Sequence, residues 1–287
     1  MKLIRKGKVK DIYETDDNTL IFSFSDRISA FDVILNDEIP YKGKVLCDFA
    51  FFWFKNLKGK NHFMKRVDTN KIEVSKLNML PVECVVRSYL YGSLYSRYLQ
   101  NAIDISGTEE YFANKDLQLA SKLPSLVFDP TTKSDQHDKP LSETEIIKNR
   151  LLSQTELMQI KGLSLDLFFQ VNTIVSASDF ILSDIKFEFG KDPKTGEIIL
   201  ADSIGPDEFR IWNLGDYQVG HIQDSYDKQI LRDWLEQTGF REEVEKCNKN
   251  NTDPKIPKLP NNKKKKVSQR YIDAYERITR STFTKLD

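Results

Sequence analysis

The chain has 287 residues, enough for one large domain or two smaller lobes with substantial hydrophobic cores. Its 43 Lys and Arg residues balance 43 Asp and Glu residues, which argues against a general polyanion-binding protein. No apolar run approaches the length of a membrane span, and the first residues lack the features of a signal peptide. The three cysteines are too widely spaced for a zinc site or a disulfide framework, which predicts a cytoplasmic protein.

The N-terminal part of the chain is rich in predicted β-strands. One strand begins near Gly7, Lys8 and Lys10, and a second covers residues 19–25. A glycine between strands lets a ligand approach the backbone and the lysines would neutralise phosphate, but a solvated edge strand has the same composition. Residues 25–32 suit either a loop that holds a hydroxylated ligand or a capped turn.

A strand followed by a helix is the next informative stretch. The strand covers residues 82–86 and carries Glu83, with Arg87 at its end, and Gly92 and Ser93 begin the helix. A guanidinium group beside free backbone N–H groups is a good anion site. A helix cap next to an exposed arginine would show the same residues.

A long polar loop covers residues 128–138 and contains Lys133, His137 and Asp138. Loops of this length and polarity are usually functional or disordered. A capping box at residues 142–145 then predicts the start of a helix.

Further helices are predicted where apolar residues recur at spacings of three and four, over residues 43–57, 160–175, 225–239 and 271–278. Residues 246–266 are rich in Asn, Lys and Pro and include four consecutive lysines. This composition predicts a flexible, solvated connection.

Residues 180–212 predict a β-hairpin, because two runs rich in Ile, Phe and Leu flank a turn at residues 190–196. Side chains alternate between the two faces of a strand. One face of the first strand therefore carries the polar residues Asp184, Lys186 and Glu188. The opposite face carries the apolar residues Ile181, Ile185, Phe187 and Phe189.

The position of Asp202 depends on how the hairpin strands pair. If Phe189 pairs with Glu197, Asp202 lies opposite Asp184. Several carboxylates on one largely apolar face are costly unless they meet a partner, and Mg²⁺ with phosphate oxygens is a partner that suits them. An exposed hairpin face with a single ion pair is the alternative interpretation.

Taken together, these stretches resemble the SAICAR synthetases (phosphoribosylaminoimidazole-succinocarboxamide synthases) of purine biosynthesis. The resemblance spans the chain and rests on motifs in the order of the family: GKVKDIY at 7–13, SDRISAFDV at 25–33, PVECVVRSYLYGS at 81–93, KSDQHDKPLS at 133–142, DIKFEFG at 184–190, LADSIGPDEFRIW at 200–212 and SYDKQILRDWL at 225–235. The length and the last motif resemble the longer, yeast-like branch. Ser203 and Gly205 depart from the usual residues of the family.

The resemblance implies an α+β fold with two lobes and ATP in the cleft between them. A kinase-like, β-rich ATP-binding lobe would cover residues 1–84, and a larger mixed lobe would cover residues 85–287. The implied activity joins the carboxylate of carboxyaminoimidazole ribonucleotide to the amine of L-aspartate, with ATP converted to ADP and phosphate. The partners are then small-molecule substrates, without nucleic acid or membrane, for a monomer or small homo-oligomer.

The resemblance also implies roles for individual residues. The ATP phosphates would contact Gly7, Lys8, Lys10 and Lys133, and Glu83 would line the adenine side of the cleft. Magnesium would be held by Glu188 and Asp202, while Lys186 would clamp a phosphate or carboxylate and Asp184 would act as a ligand or orient the reacting groups. The ribonucleotide would be bound by Arg87, Ser93 and Arg210, by Ser29 and Asp32, and by His137 and Asp138 on the closing loop.

Two other functions fit parts of the sequence. A small-molecule or protein kinase would share the ATP-binding lobe, but the chain lacks the HRDxxxxN and DFG motifs of protein kinases. An RNA-binding protein would use the basic segment at residues 246–266.

Overall fold

The computed structural model describes residues 1–113, 116–133, 139–250 and 252–285. Its N-terminal part forms a five-stranded antiparallel sheet in the order β1-β2-β3-β7-β6, built from β1 (Lys2–Lys6), β2 (Lys10–Glu14), β3 (Thr19–Phe24), β6 (Phe63–Asp68) and β7 (Lys71–Ser75). A separate hairpin pairs β4 (Arg27–Ala30) with β5 (Val33–Glu38). The prediction that the N-terminal part is rich in strands is therefore confirmed.

The turn between β1 and β2 requires its glycine. The Gly7 N–H donates to the Lys10 carbonyl over 2.9 Å, and a Cβ atom at Gly7 would lie only 2.6 Å from that carbonyl oxygen. The β4–β5 turn consists of Phe31 and Asp32, which both have positive φ angles, as a type I′ hairpin turn demands.

A second sheet has six strands and is organised around the long strand β11. Its elements are β8 (Asn78–Tyr89), β9 (Lys122–Phe128), β10 (Thr131–Thr132), β11 (Phe180–Lys191), β12 (Ile198–Ala201) and β13 (Phe209–Asn213). β11 pairs with β8 along one edge, and with β12 and then β13 along the other. The predicted hairpin is present, but its second run is divided between two strands.

The predicted register of this hairpin is wrong. Phe189 pairs with Leu200, three residues beyond Glu197. The reason lies in the turn, where the Asp192 side chain accepts hydrogen bonds from the N–H groups of Lys194 and Thr195 and so begins the turn after the strand rather than at Gly190.

The predicted division of faces in β11 is wrong at its first residues. The pairing with β13 is irregular between Leu182 and Asp184. As a result, Phe180 and Leu182 join the main core together with Ile185, whereas Ile181 packs with Tyr91 and Trp212 in a separate cluster.

The helices are α1 (Lys42–Asn56), α2 (Gly92–Leu99), α3 (Glu109–Ala113), α4 (Glu143–Lys148), α5 (Gln154–Ser176), α6 (Gln229–Gln237), α7 (Phe240–Asn250) and α8 (Asn261–Thr279). The predicted buried helix corresponds to α1, and the capping box at Ser142 and Glu145 starts α4 as expected. Helix α5 packs on β8 and β11, and α1 packs against α8. The apolar face of the second sheet is therefore covered by α5.

The flexible connection predicted at residues 246–266 is contradicted at both ends. Helix α7 continues to Asn250, and α8 begins at Asn261 and contains all four lysines of residues 263–266. Lys264 Nζ contacts Asp37 Oδ1 at 2.8 Å, and the buried Leu259 belongs to the main core. Tertiary contacts with the N-terminal part thus order a segment that its composition marks as solvated.

One main hydrophobic core draws residues from both predicted lobes, from Phe22 to Phe283. The predicted boundary between residues 84 and 85 falls inside β8, and the division into lobes stays a prediction. In the described ranges, no helix combines the length and the apolar character needed to cross a membrane.

Candidate functional site

The polar face of the second sheet follows from the pairing of β8 with β11. Glu188 pairs with Glu83 and Asp184 pairs with Arg87, so all four side chains project from the same face. The alternate residues of both strands, such as Cys84 and Phe187, are buried in the main core. One sheet therefore separates an apolar core from a charged surface.

The first group of charges on this face is the lysine–carboxylate cluster, defined as Lys10, Glu83, Lys133, Lys186, Glu188 and Asp202. Lys186 Nζ donates to Glu83 Oε1 over 2.7 Å and to Glu188 Oε1 over 3.3 Å. Lys133 makes a short ion pair with Glu188, and Lys10 makes one with Asp202. Three lysines from three different segments thus meet three carboxylates.

Asp202 lies beside Glu188 and not opposite Asp184, so the geometric prediction for Asp202 is corrected. It follows the last residue of β12 and has a φ of 61°, which turns the chain out of the strand. Its carboxyl group contacts that of Glu188, and its carbonyl oxygen is 2.9 Å from Nε2 of the buried His62. Burial lowers the pKa of His62 to about 4, so its ring is neutral.

Asp202 and Lys186 of the lysine–carboxylate cluster are held in their charged forms at neutral pH. Burial alone would raise the pKa of Asp202, but the charge of Lys10 and the contact with Glu188 outweigh burial and lower it. Burial also disfavours the charged form of Lys186, but the negative charges of Glu188 and Glu83 raise its pKa well above the usual value. Asp202 and Lys186 therefore stay charged because each has oppositely charged neighbours.

The second group is the arginine cluster, defined as Arg87, Ser93, Arg97, Asp129, Asp184 and Arg210. Arg87 donates from Nε to Asp129 over 2.6 Å and from a terminal nitrogen to Ser93 Oγ over 3.1 Å. Arg210 donates to Asp184 Oδ2 over 2.7 Å. Arg97 makes a charge-assisted hydrogen bond with the same Asp129. The structure therefore brings together Arg87, Ser93 and Arg210, three of the seven residues predicted to bind the ribonucleotide.

Gly92 makes room for this cluster. It has a φ of 57°, and a Cβ atom there would lie 2.8 Å from a terminal nitrogen of Arg210. The predicted helix start at Gly92 is confirmed, since α2 begins at that residue. Position 92 therefore needs a glycine for two reasons, the positive φ angle and the close approach of the Arg210 guanidinium.

A small cavity of about 80 Å³ adjoins the arginine cluster, and its charged lining includes Asp184, Glu208, Arg210, Asp227, Lys228 and Arg232. A larger cavity of about 280 Å³ lies between α2 and α3 and contains none of the predicted site residues. The small cavity, which joins the polar sheet face, is therefore the better candidate for substrate.

A buried ion network supports the connection that leads from Asp202 to Arg210. Lys42 Nζ and Lys228 Nζ contact Asp207 at 2.7 Å and 3.1 Å, and the Tyr271 hydroxyl donates to it over 2.8 Å. Burial lowers the pKa of Lys228 to about 8. The sequence interpretation missed these residues, because α1, α6 and α8 meet only in three dimensions.

The other predicted site residues lie around the first sheet and its neighbouring hairpin. Lys8 Nζ contacts Asp32 Oδ1 at 2.6 Å, which joins the β1–β2 turn to the β4–β5 turn. Ser29 is buried in β4. His137 and Asp138 lie outside the described residues. The roles of all predicted site residues stay predictions.

Known proteins resemble this chain over nearly its whole length. The family model for SAICAR synthetase matches residues 3–247. The phosphoribosylaminoimidazole-succinocarboxamide synthase of Nitrosopumilus maritimus is 43% identical over 280 residues, covering 97% of this chain and 98% of that protein.

Solved structures give the same result for the fold. The SAICAR synthase of Saccharomyces cerevisiae complexed with SAICAR aligns with a TM-score of 0.81 and 32% identity, covering 99% of this chain and 97% of that one. A SAICAR synthetase in complex with ADP aligns with a TM-score of 0.73 and 26% identity, covering 98% and 99%. The predicted fold class and the likeness to the yeast enzyme are confirmed, and the chain belongs to the SAICAR synthetase family.

Proposed function

We propose that this protein is an ATP-dependent ligase of purine biosynthesis that acts in the cytoplasm. It joins the carboxylate of 5-amino-1-(5-phosphoribosyl)imidazole-4-carboxylate to the amine of L-aspartate and forms SAICAR, ADP and phosphate. Family membership supports this activity over the kinase alternative. The relatives whose structures contain SAICAR and ADP support the two kinds of ligand.

One observation carries the proposal: the lysine–carboxylate cluster and the arginine cluster are adjacent on a single sheet face. They are linked along β11, where Asp184 belongs to the arginine cluster and Lys186 and Glu188 belong to the other. A ligase that activates a nucleotide with ATP needs a triphosphate site next to a nucleotide site. This arrangement provides both within two residues of one strand.

The chemistry explains why the site is rich in cations and why the reaction needs no protein nucleophile. A carboxylate is a poor electrophile, so ATP must convert it to an acyl phosphate or an equivalent activated form before an amine can attack. Fixed positive groups stabilise the charge that develops on the phosphates. Lys10, Lys133 and Lys186 are cations that lie together in the lysine–carboxylate cluster. Gly7 and Lys8 in the β1–β2 turn extend the phosphate site.

The same cluster fits a magnesium ion held by Glu188 and Asp202. Their carboxyl groups are in contact, and each is compensated by a lysine. Within the described ranges, no three His, Cys, Asp or Glu side chains form a metal site by themselves. Mg²⁺ needs only one or two carboxylates, because it keeps water and takes oxygens from phosphates. Bound there, it would neutralise the phosphates of ATP.

The arginine cluster suits the phosphate and carboxylate of the ribonucleotide. Arg87 and Arg210 are buried or nearly so and are oriented by Asp129 and Asp184, so their guanidinium groups are held in place before substrate arrives. Ser93 at the start of α2 adds a hydroxyl and free backbone N–H groups. We assign Asp184 to orienting these groups rather than to the metal.

The remaining assignments follow the family resemblance. Glu83 lines the adenine side of the cleft, between the ATP-binding lobe of residues 1–84 and the lobe of residues 85–287. Ser29 and Asp32 contact the imidazole nucleotide, and His137 and Asp138 close over it.

ADP release tests the proposed function. Purified protein with Mg²⁺, ATP and the ribonucleotide should release ADP only when L-aspartate is added. The variant Asp202→Asn should lower that rate at least about 100-fold, because a group that supports charge in the transition state is lost. Asp216→Asn changes an exposed aspartate of the same region and should leave the rate unchanged.

Three outcomes would contradict parts of the proposal. ADP release that ignores aspartate would indicate a kinase. No release with any combination of substrates would refute the ligase. An active Asp202→Asn variant would refute the magnesium assignment alone.

A further inference from the structure

Glu208 is a partly buried acidic residue that the reaction described so far does not use. Its backbone is fixed on the polar face, because its N–H donates to the Gly205 carbonyl and its carbonyl accepts from the Lys186 N–H, both over 2.9 Å. Its side chain lines the small cavity beside Asp184 and Arg210. Glu208 therefore stands between the lysine–carboxylate cluster and the arginine cluster.

Glu208 differs from its acidic neighbours in its partners. Its Oε2 atom is buried and has no hydrogen-bond partner among the described residues. The neighbouring carboxylates each have a lysine or arginine within ion-pair distance, namely Glu83, Glu188, Asp202, Asp184 and Asp207. A buried acceptor without a donor is costly, so its presence in a cavity points to a donor on the ligand.

The surrounding charges favour a cationic donor. Burial and the repulsion of Asp207 raise the pKa of Glu208 to about 8, while Lys10 opposes the shift. The other acidic groups that line the cavity, Asp184, Asp207 and Asp227, are matched in number by the cations Arg210, Lys228 and Arg232, which leaves Glu208 as the additional acidic group. The Glu208 carboxyl is therefore protonated at neutral pH as long as no cation lies beside it, and an ammonium group that enters the cavity would supply the positive charge that keeps it ionised.

In the proposed reaction, the nitrogen that attacks the activated carboxyl belongs to the amino-acid substrate. That nitrogen must come close to the boundary between the two clusters, where the carboxyl meets the phosphates. We propose that Glu208 binds the ammonium group of the amino-acid substrate, takes up one of its protons and orients the resulting amine nitrogen toward the activated carboxyl. This inference rests on the proposed ligase function and adds a specificity-determining residue to it.

Steady-state kinetics of Glu208→Gln test the inference. Loss of a hydrogen bond to a charged group should raise KM for L-aspartate about 10- to 100-fold. The KM values for ATP and the ribonucleotide should stay the same. Glu208→Asp, which keeps the charge, should recover part of the affinity. Glu197→Gln, a half-exposed glutamate paired with Lys60 on the same hairpin, is the matched control and should behave as wild type.

A neutral nucleophile separates amine binding from a structural role. Hydroxylamine is uncharged at neutral pH and needs no carboxylate partner, so Glu208→Gln should retain ADP release with hydroxylamine while it loses affinity for aspartate. An unchanged KM for aspartate would overturn the inference. Equal loss with hydroxylamine would also overturn it, because Glu208 would then serve the structure or the activation step. Should Glu208→Gln fail to fold, Glu208→Asp, which shortens the side chain, should show a smaller rise in KM for aspartate and no change with hydroxylamine, and an unchanged KM for aspartate would again overturn the inference.

The experiment also distinguishes this inference from the proposed function. If wild-type protein releases no ADP with either nucleophile, the proposed function fails. If wild type is active and Glu208→Gln matches it with both, only the assignment of Glu208 fails.

Discussion

The two charged clusters of the site are built differently. In the lysine–carboxylate cluster, the side chains of Lys133 and Lys186 remain 26% and 29% exposed. In the arginine cluster, Arg87 is 7% exposed and Asp129 only 2%. The first cluster can exchange its ion pairs for a metal and phosphates, whereas the second is preformed. The groups for the nucleotide are therefore fixed before it binds, whereas the groups for ATP can change partners when it binds.

The largest expected effect comes from Asp129→Asn, which breaks the preformed cluster. Asp129 is buried, and its ionisation persists only because Arg87 and Arg97 outweigh the cost of burial and keep its pKa low. Removing its charge leaves two arginines without their anion, so we expect a loss of about 3–5 kcal/mol in the free energy of unfolding. Urea denaturation followed by circular dichroism measures the loss.

The matched variant for that comparison is Glu188→Gln in the lysine–carboxylate cluster. Its partners Lys133 and Lys186 are partly exposed and Lys186 can still pair with Glu83. Because Glu188 is itself buried but its lysine partners reach solvent, we expect a loss of about 1–2 kcal/mol, smaller than that of Asp129→Asn. Equal losses in the two variants would contradict the distinction between a preformed and an adaptable cluster.

An effect smaller than that of Asp129→Asn is expected from Gly92→Ala, which displaces Arg210 without removing it. The positive φ angle should cost roughly 1–2 kcal/mol of stability. The added methyl group should also raise KM for the ribonucleotide and leave KM for ATP unchanged, since it meets the Arg210 guanidinium. Initial-rate kinetics with each substrate varied in turn measure both constants.

Gly107→Ala separates the two causes. Gly107 has a φ of 78° and open space around its Cβ position, so Gly107→Ala should lower stability through the backbone conformation alone. A similar rise in KM for the ribonucleotide in Gly107→Ala would show that Gly92 acts only through stability.

Local sequence signals predicted the elements of the fold well. The apolar run of α1 and the capping box of α4 depend on neighbouring residues, and both are found. The predicted strand at residues 82–86 is found as well, but β8 continues to Tyr89, so Arg87 lies within the strand and not at its end. The hairpin register depends on where the turn begins, and several residues could begin it. In the structure the turn begins at Asp192 and not at Gly190. The order of residues 246–266 depends on distant partners such as Asp37, which composition does not reveal.

The residues of the site also divide into those that local sequence predicts and those that depend on tertiary contacts. Residues within the recognised motifs, such as Lys186, Glu188 and Arg210, lie together on the polar face as expected. Asp129 belongs to the predicted polar loop, but the sequence does not predict its role, because its partner Arg97 lies on α2, far away along the chain. His62 and Lys42 carry no local pattern that distinguishes them from nearby residues. Their roles arise only when α1 and the connection after β12 come together.

The central claim is that ATP is spent on the carboxylate of the nucleotide substrate at the junction of the two clusters. The most direct test labels that carboxylate with a heavy oxygen isotope and follows the label during turnover with ATP, Mg²⁺ and L-aspartate. Activation through a bond between the carboxylate oxygen and the γ-phosphorus predicts that one labelled oxygen per product appears in inorganic phosphate. Unlabelled phosphate alongside amide product would contradict the account, because the carboxylate would then not have been activated by ATP.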